Sequence, residues 1–388
     1  MELKKGYKQT DVGIIPEDWS VSNLGSLAVI KDGTHQTPNY VDFGIPFYSV
    51  EHVTSGNFTD TKYISEEEHQ FLTKRFRIEF GDVLMTRIGS IGDCKLVDWK
   101  PNASFYVSLA LLKFNNKQLA KYFVSFSRSN LFKNELDQNS LLHAVPKKIN
   151  LGKITNLRIL IPTNKEVDLI SESLFDADAY ITSLEKLIEK KRQIKQGAMQ
   201  ELLKPKDGWV EKRLGDIAEI IMGQSPLSEN YNINGFGLPL IQGNADIKNR
   251  KTIIRNYTSQ ITKKARVGDI IMSVMAPVGE ISKTTFNCCI GRGVCSIRYE
   301  NDFLYHYLIY VENKWGTYSS GSTFDSINSS QVLGLKLYIP EKIEQIRISE
   351  TLTSMDDELA ALEEMLVKAK SIKQGIMQNL LTGKIRLI

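Results

Sequence analysis

Apolar residues recur at alternating steps of four and three across two stretches of the chain. In the first they are Ile170, Leu174, Ala177, Ile181, Leu184 and Ile188; in the second they are Ile348, Leu352, Met355, Leu359, Leu362, Leu366 and Ala369. This spacing is the seam of a coiled coil. Each stretch begins just after a proline and runs for about 38 residues, roughly 57 Å of α-helix. Lys204-Pro205-Lys206-Asp207-Gly208 ends the first and Thr382-Gly383 the second, both by helix-breaking chemistry. A helix with one apolar stripe must bury it, and the stripe of matching length is the other copy, so the spacing predicts an antiparallel pair. The segments between read as mixed α and β. Short β-type runs such as 83–85, 109–114, 270–272 and 335–339 alternate with Gly and Pro, and Ser65-Glu66-Glu67-Glu68 has the spacing of a capping box.

The two stretches are copies of each other. Residues 162–204 align with 340–382 without a gap, and eighteen of the 43 pairs are identical. Ile194-Lys195-Gln196-Gly197-Ala198-Met199-Gln200-Glu201-Leu202-Leu203 returns as Ile372-Lys373-Gln374-Gly375-Ile376-Met377-Gln378-Asn379-Leu380-Leu381. Repetition extends into the flanking segments. Trp19, Leu24, Gly25 and Ala28 return as Trp209, Leu214, Gly215 and Ala218; Phe43-Gly44-Ile45-Pro46 as Phe236-Gly237-Leu238-Pro239; Gly81-Asp82-Val83-Leu84-Met85-Thr86 as Gly268-Asp269-Ile270-Ile271-Met272-Ser273. In this frame residues 380–384 stand where 202–206 stand before Trp209, which places them beside the approach to Trp19 and makes the repeat cyclic.

Composition narrows the class. The 388 residues carry 49 Lys and Arg against 45 Asp and Glu, a net charge of only +4. At 42% hydrophobic and 24% charged the chain is ordinary folded protein, long enough for two or three cores. No run approaches a membrane span and Met1-Glu2-Leu3-Lys4-Lys5-Gly6 lacks an apolar signal region, so a cytoplasmic location without membrane contact is expected. Cys94, Cys288, Cys289 and Cys295 form no Cys-x-x-Cys, and neither a disulfide framework nor a zinc site is expected. A phosphate-binding loop is missing, and His35, His52, His69, His143 and His306 make no His-Glu-x-x-His.

The doubled helix ends, the opening Gly6-Tyr7-Lys8 with Ile15-Pro16-Glu17-Asp18-Trp19, the turn Asp32-Gly33-Thr34-His35 and the run 81–89 together resemble the specificity subunit of type I restriction–modification systems, over essentially the whole chain. The resemblance implies a mixed α/β fold: two globular α/β DNA target recognition domains, each reading half of a bipartite site, separated by two long antiparallel coiled-coil helices with internal pseudo-two-fold symmetry. On that frame residues 1–161 and 205–339 are the recognition domains, and 162–204 and 340–388 the spacer and docking helices. It implies double-stranded DNA, two methyltransferase subunits and, through them, restriction and translocase subunits as partners, with no catalysis and no cofactor in this chain. The Gly-rich loop and the Asn/Asp-Pro-Pro-aromatic tetrapeptide of a methyltransferase are missing. A non-enzymatic tandem-repeat scaffold that binds peptides or glycans is the alternative.

Helices this long can hold two readers at least one DNA turn, about 34 Å, apart. Because the domains differ while the helices are nearly the same, an asymmetric interrupted site is expected. For phosphate contact the candidates are Lys248, Arg250, Lys251, Arg255, Lys263, Lys264 and Arg266, a run without acids. For base contact they are positions matched between the halves but chemically different. Gly33, Thr34, His35 and Gln36 face Gln224 and Ser225; Thr86, Arg87 and Ser90 face Ser273 and its followers; Ser322 and Thr323 form a third polar loop. For partner contact they are Gln196, Gly197, Met199, Gln200, Gln374, Gly375, Met377 and Gln378, because a helical Gly costs about 1 kcal/mol relative to Ala unless something packs closely on it.

Overall fold

The computed structural model describes residues 5–141, 145–312 and 326–387. The chain forms two compact units, residues 1–184 with 365–388, and residues 185–364. Two helices of 39 residues, Asn164–Leu202 and Lys342–Leu380, begin two residues after Pro162 and Pro340, and the division falls inside both. Each unit therefore takes its helical part from the start of one long helix and the end of the other.

In the first unit the strands Ala28–Asp32, Leu109–Phe114, Val83–Thr86 and Cys94–Leu96 make an antiparallel sheet in that order. A smaller sheet runs Ser104–Phe105, Ile45–Tyr48, Lys62–Ile64, Tyr40–Val41. The second unit repeats the plan: Glu219–Met222, Val294–Arg298, Ile270–Ser273 and Ile281–Lys283 lie in the same order, extended by Lys251–Thr252 and Ile247–Lys248, beside a five-stranded sheet. Strand Ser20–Asn23 pairs with Arg158–Ile161 as Val210–Arg213 pairs with Lys336–Ile339, tying the entrance of each unit to the strand before its long helix. Ser65 caps helix Glu66–Leu72, its hydroxyl accepting from the Glu68 N–H at 3.1 Å.

The matched Gly-Asp pairs show why these strands start where they do. Gly81 and Gly268 adopt φ +90° and +88°, a conformation glycine takes without strain. The following carboxylates then accept the backbone N–H groups of Glu79 and Arg266, both at 2.8 Å, and meet Lys113 and Arg298 across the sheet.

The apolar seams lie where the period puts them. In the first unit Val167, Ile170 and Leu174 share a core with Trp19, Phe123, Phe132, Leu380 and Leu381; in the second, Ile348 and Leu352 share one with Leu203, Phe303 and Leu308. Cross-helix ion pairs run antiparallel. In the second unit Lys191 meets Glu358 and Arg192 meets Glu363, while Lys195 reaches back to Asp356; in the first, Lys373 meets Asp178.

Residues 381–387 fold back onto the entrance of the first unit, as the cyclic frame expects. Gly383 lies so close to Pro16 that a Cβ would come within 2.5 Å of the ring, and Tyr7 Oη donates to its carbonyl at 2.8 Å. Arg386 donates to Glu166 at 2.6 and 2.7 Å and to Asp18 at 2.7 Å, with its guanidinium over the Trp19 ring. Burial opposes ionisation of Glu166, but hydrogen bonds from Arg386, Trp19 and Thr163 outweigh it and hold the carboxyl below its ordinary range. A depressed carboxylate stabilises the fold above its unfolded pKa, and that contribution is lost as pH falls through the folded value. Arg386→Ala should therefore cost the first unit about 2–3 kcal/mol near neutral pH by stranding a buried charge, and the deficit should shrink on acidification below about pH 4. Denaturant titration at both pH values checks this.

Candidate nucleic-acid interface

Two turns joined by residues 55 positions apart in sequence meet in the first unit. Asp32, at the end of its strand, accepts from His35 at 2.7 Å and from Arg87 at 3.3 Å. Gly33 sits against the Phe105–Tyr106 backbone, where a Cβ would come within 2.1 Å of the Phe105 carbonyl, so only glycine allows the turn. Thr34 donates its N–H to Phe105 O and accepts from Val107 N–H. What remains outside is His35, whose side chain is 70% exposed, and Gln36.

Arg87 does not stand where the match between the halves put it. It is 7% exposed, with its guanidinium turned inward to Asp32, the Val107 carbonyl and the Ile149 carbonyl. A cation among carbonyls and one carboxylate is satisfied internally, so Arg87 positions the turn carrying His35 rather than presenting itself. Thr86 and Ser273 are fully buried for a parallel reason. The Thr86 hydroxyl accepts from Asp93 N–H at 3.0 Å and the Ser273 hydroxyl from Glu280 N–H at 2.9 Å, closing turns of the same length. These two hydroxyls hold the scaffold in place of facing a ligand. Ser90 is exposed and bonded to Asp93.

The second unit builds its counterpart turn on the same close approach: a Cβ on Gly223 would come within 2.1 Å of the Gly291 carbonyl. Gln224 is exposed, its carbonyl held by Thr262, and the half-buried Ser225 accepts at Oγ from Arg292 N–H at 3.2 Å. Arg292 itself is exposed beside this turn. Reading along the chain missed it; the signal was Gly291-Arg292-Gly293, a cation flanked by glycines.

The basic run 248–266 is divided by the fold. Lys248 and Lys251 face each other in a two-residue hairpin at the edge of the six-stranded sheet, and Lys263 and Lys264 lie on the edge of the five-stranded one. The hairpin turns through Asn249 and Arg250 at φ 51° and 63°, the type I′ geometry that matches strand twist. Arginine is costly there, and its pair with Glu312 at 2.6 Å and bond to the Ile281 carbonyl offset that. Arg255 stands 3.7 Å from Asp246. Among the described residues Lys248, Lys251, Lys263, Lys264 and Arg266 are exposed without an ion-pair partner. Ser322 and Thr323 lie outside the described residues.

On the long helices Gln196, Gly197, Gln200, Gln374, Gly375 and Gln378 are exposed, whereas Met199 and Met377 are half-buried against the cores. A Cβ on Gly197 or Gly375 would meet nothing within 4 Å, so no packing among the described residues accounts for either glycine. Among the described residues no three His, Cys, Asp or Glu side chains are arranged to hold a metal, and no helix is long and apolar enough to cross a membrane. Burial pushes the thiols of Cys94, Cys288 and Cys295 up to about 12, and that of His306 lowers its imidazole to about 4.

The family model for the type I restriction modification DNA specificity domain matches the chain twice, over residues 16–196 and 206–370. A Methanocaldococcus jannaschii protein assigned as the MjaX type I restriction enzyme specificity subunit is 30% identical, covering 99% of this chain and 97% of its own length. The MjaVIII specificity subunit of the same organism is 22% identical over the same shares. Among solved structures, the type I restriction–modification S subunit of M. genitalium has a TM-score of 0.65 at 15% identity, covering 98% of both chains. A chain from a type I system solved for its assembly and conformational transition has a TM-score of 0.55 at 22% identity, covering 96% of this chain and 99% of that one. The doubled domain seen in sheet order, in turn geometry and in the helix seams is thus the doubled domain of a known family, and this chain belongs to the specificity subunits of type I restriction–modification systems.

Proposed function

We propose that the chain reads an interrupted, asymmetric DNA site, one half per unit, and carries two methyltransferase subunits through which restriction and translocase subunits join. One observation carries this reading. The two units hold equivalent turns by the same glycine approach and the same buried hydroxyl, yet present different side chains, His35 and Gln36 in one and Gln224, Ser225 and Arg292 in the other. A scaffold kept the same under side chains that differ is what two readers of different half-sites require. Catalysis is left to the partners. A scaffold for peptides or glycans would give no reason for the unpaired lysines on two sheet edges, which suit phosphate oxygens.

Three outcomes follow. Exchanging Lys248 and Lys251 for Gln should reduce the slope of log binding constant against log salt by about 2, near one unit for each phosphate that is no longer neutralised. An unchanged slope removes the hairpin from the interface. Replacing His35 or Gln36 should alter only one half of the methylated sequence in adenine mapping, and replacing Gln224 or Arg292 only the other, each at about 1–3 kcal/mol per base contact. An alteration in both halves from one substitution contradicts one reader per unit. Gly197→Leu and Gly375→Leu should leave the thermal transition of the isolated chain undiminished or slightly raised, since each removes a helical glycine, while reducing co-purified methyltransferase subunit; retention of a full complement places docking elsewhere.

A further inference from the structure

One exposed side chain is kept where the surface around it has changed. Phe43 and Phe236 hold matched positions in the two units, 89% and 71% exposed, each on a loop that crosses the end of a strand. In the first unit the loop leads from Tyr40–Val41 to Ile45–Tyr48 over Lys62–Ile64; in the second it leads from Tyr231–Asn232 to Leu238–Ile241 over Asn256–Thr258. Residues 233–237 make the second loop two longer than 42–44 in the first, yet the Phe-Gly pair keeps its register. A Cβ on Gly44 would come within 2.3 Å of the Ile64 carbonyl and one on Gly237 within 2.0 Å of the Thr258 carbonyl, so both loops are pinned at equivalent points. Asn232 restrains the longer loop further: its Oδ1 accepts the Phe236 N–H at 3.0 Å and its Nδ2 donates to the Phe236 carbonyl at 2.8 Å. Val41 and Ile233 add exposed apolar surface within the same segments.

A lone exposed phenyl needs no explanation. The same phenyl on the same pinned backbone, with the loop before it rebuilt, needs one, because among the described residues neither ring belongs to an apolar core. Two features set the rings apart from the turns that present His35 and Gln224. Each ring stands at the opposite end of a four-residue strand: Tyr48 and Ile241, at the far ends, lie against Phe105–Tyr106 and Ile290–Gly291, whose backbones hold Thr34 and Gln224. That strand spans about 13 Å. The charge is also wrong for phosphate. Across residues 40–68 the acids Asp42, Glu51, Asp60, Glu66, Glu67 and Glu68 stand against one cation, Lys62, which lies over the Tyr40 ring at 4.7 Å. Residues 226–247 and 256–262 hold no Lys or Arg. What recurs in both units is an apolar knob, and what differs is the charge around it.

We propose that Phe43 and Phe236 are equivalent anchors for the two methyltransferase subunits, each ring entering an apolar pocket on one copy. This rests on the assembly reading above and adds a contact on the globular part of each unit to the helix ends already named. Two identical copies that meet two diverged units need a feature common to both. A phenyl ring on a fixed backbone loses little freedom on docking, and aromatic side chains of this kind dominate the energetics of protein interfaces.

Phe43→Ser and Phe236→Ser remove exposed rings, so the melting temperature of the isolated chain should be unchanged. Each should weaken one of the two methyltransferase copies at least about tenfold, the effect of losing an interface anchor, and the double variant should weaken both. Native mass spectrometry across a dilution series reads this as a shift from two copies to one, and then to none. Phe43→Leu, which keeps apolar bulk, should retain most of the affinity that Ser loses. The affinity of the isolated chain for DNA and its salt slope should not move. Two copies held at unchanged affinity by the double variant overturn the proposal, as does a loss of DNA affinity by the isolated double variant, which makes the rings DNA contacts. So does an isolated chain that is dimeric until the rings are removed, since they then serve a second copy of the chain. An unaltered chain that takes up no methyltransferase subunit fails the assembly reading itself, and this proposal with it.

Discussion

Everything in this molecule depends on one constraint: an amphipathic helix of 39 residues cannot leave its apolar stripe in water. The stripe of Asn164–Leu202 is longer than one globular core can cover, so Val167, Ile170 and Leu174 go to one core and Leu203 to the other, with Ile181, Leu184 and Ile188 buried along the helix. The copy at Lys342–Leu380 solves the same problem in the opposite chain direction. From this follow the antiparallel ion pairs, the division of each helix between two units, and the discontinuous first unit.

The same economy governs the turns. Thr86 and Ser273, Asp82 and Asp269, Gly33 and Gly223 are matched pairs whose side chains, or lack of them, are used inward to fix backbone. With the backbone fixed largely by buried contacts, the side chains presented on the turns can differ between the units. Separating the residues that hold a loop from those that face outward lets one fold carry two different sets of exposed side chains.

Much of this could be read from the chain before folding. The steps of four and three gave both long helices to within two residues of their starts, and the 18 identities between the copies gave the doubling. What escaped were polar contacts between residues far apart in sequence. Arg87 looks like a base reader until Asp32, Val107 and Ile149 are brought round it, and Arg386 is inconspicuous until Glu166 and Asp18 are beside it. Likewise the cations at 248–266 look continuous only in one dimension; pairing strands sends them to two sheet edges and matches Arg250 with Glu312. Periodicity reports local burial, whereas who neutralises whom is a property of topology.

The first unit's split between 1–184 and 365–388 bears on how the molecule comes into being. Synthesis delivers the amino end first, and domains generally fold as they emerge. Here the later unit has the advantage, because residues 185–364 are one continuous segment that can close once its last helical turns are made. The earlier unit has its sheets and Trp19 in place but must hold Glu166 and the Pro16 face open until Leu380, Leu381 and Arg386 arrive about 200 residues afterwards, a loop whose closure entropy grows only slowly with length. The order of completion on the ribosome is therefore the reverse of the order of synthesis, and residues 380–386 act as the latch of the first unit begun.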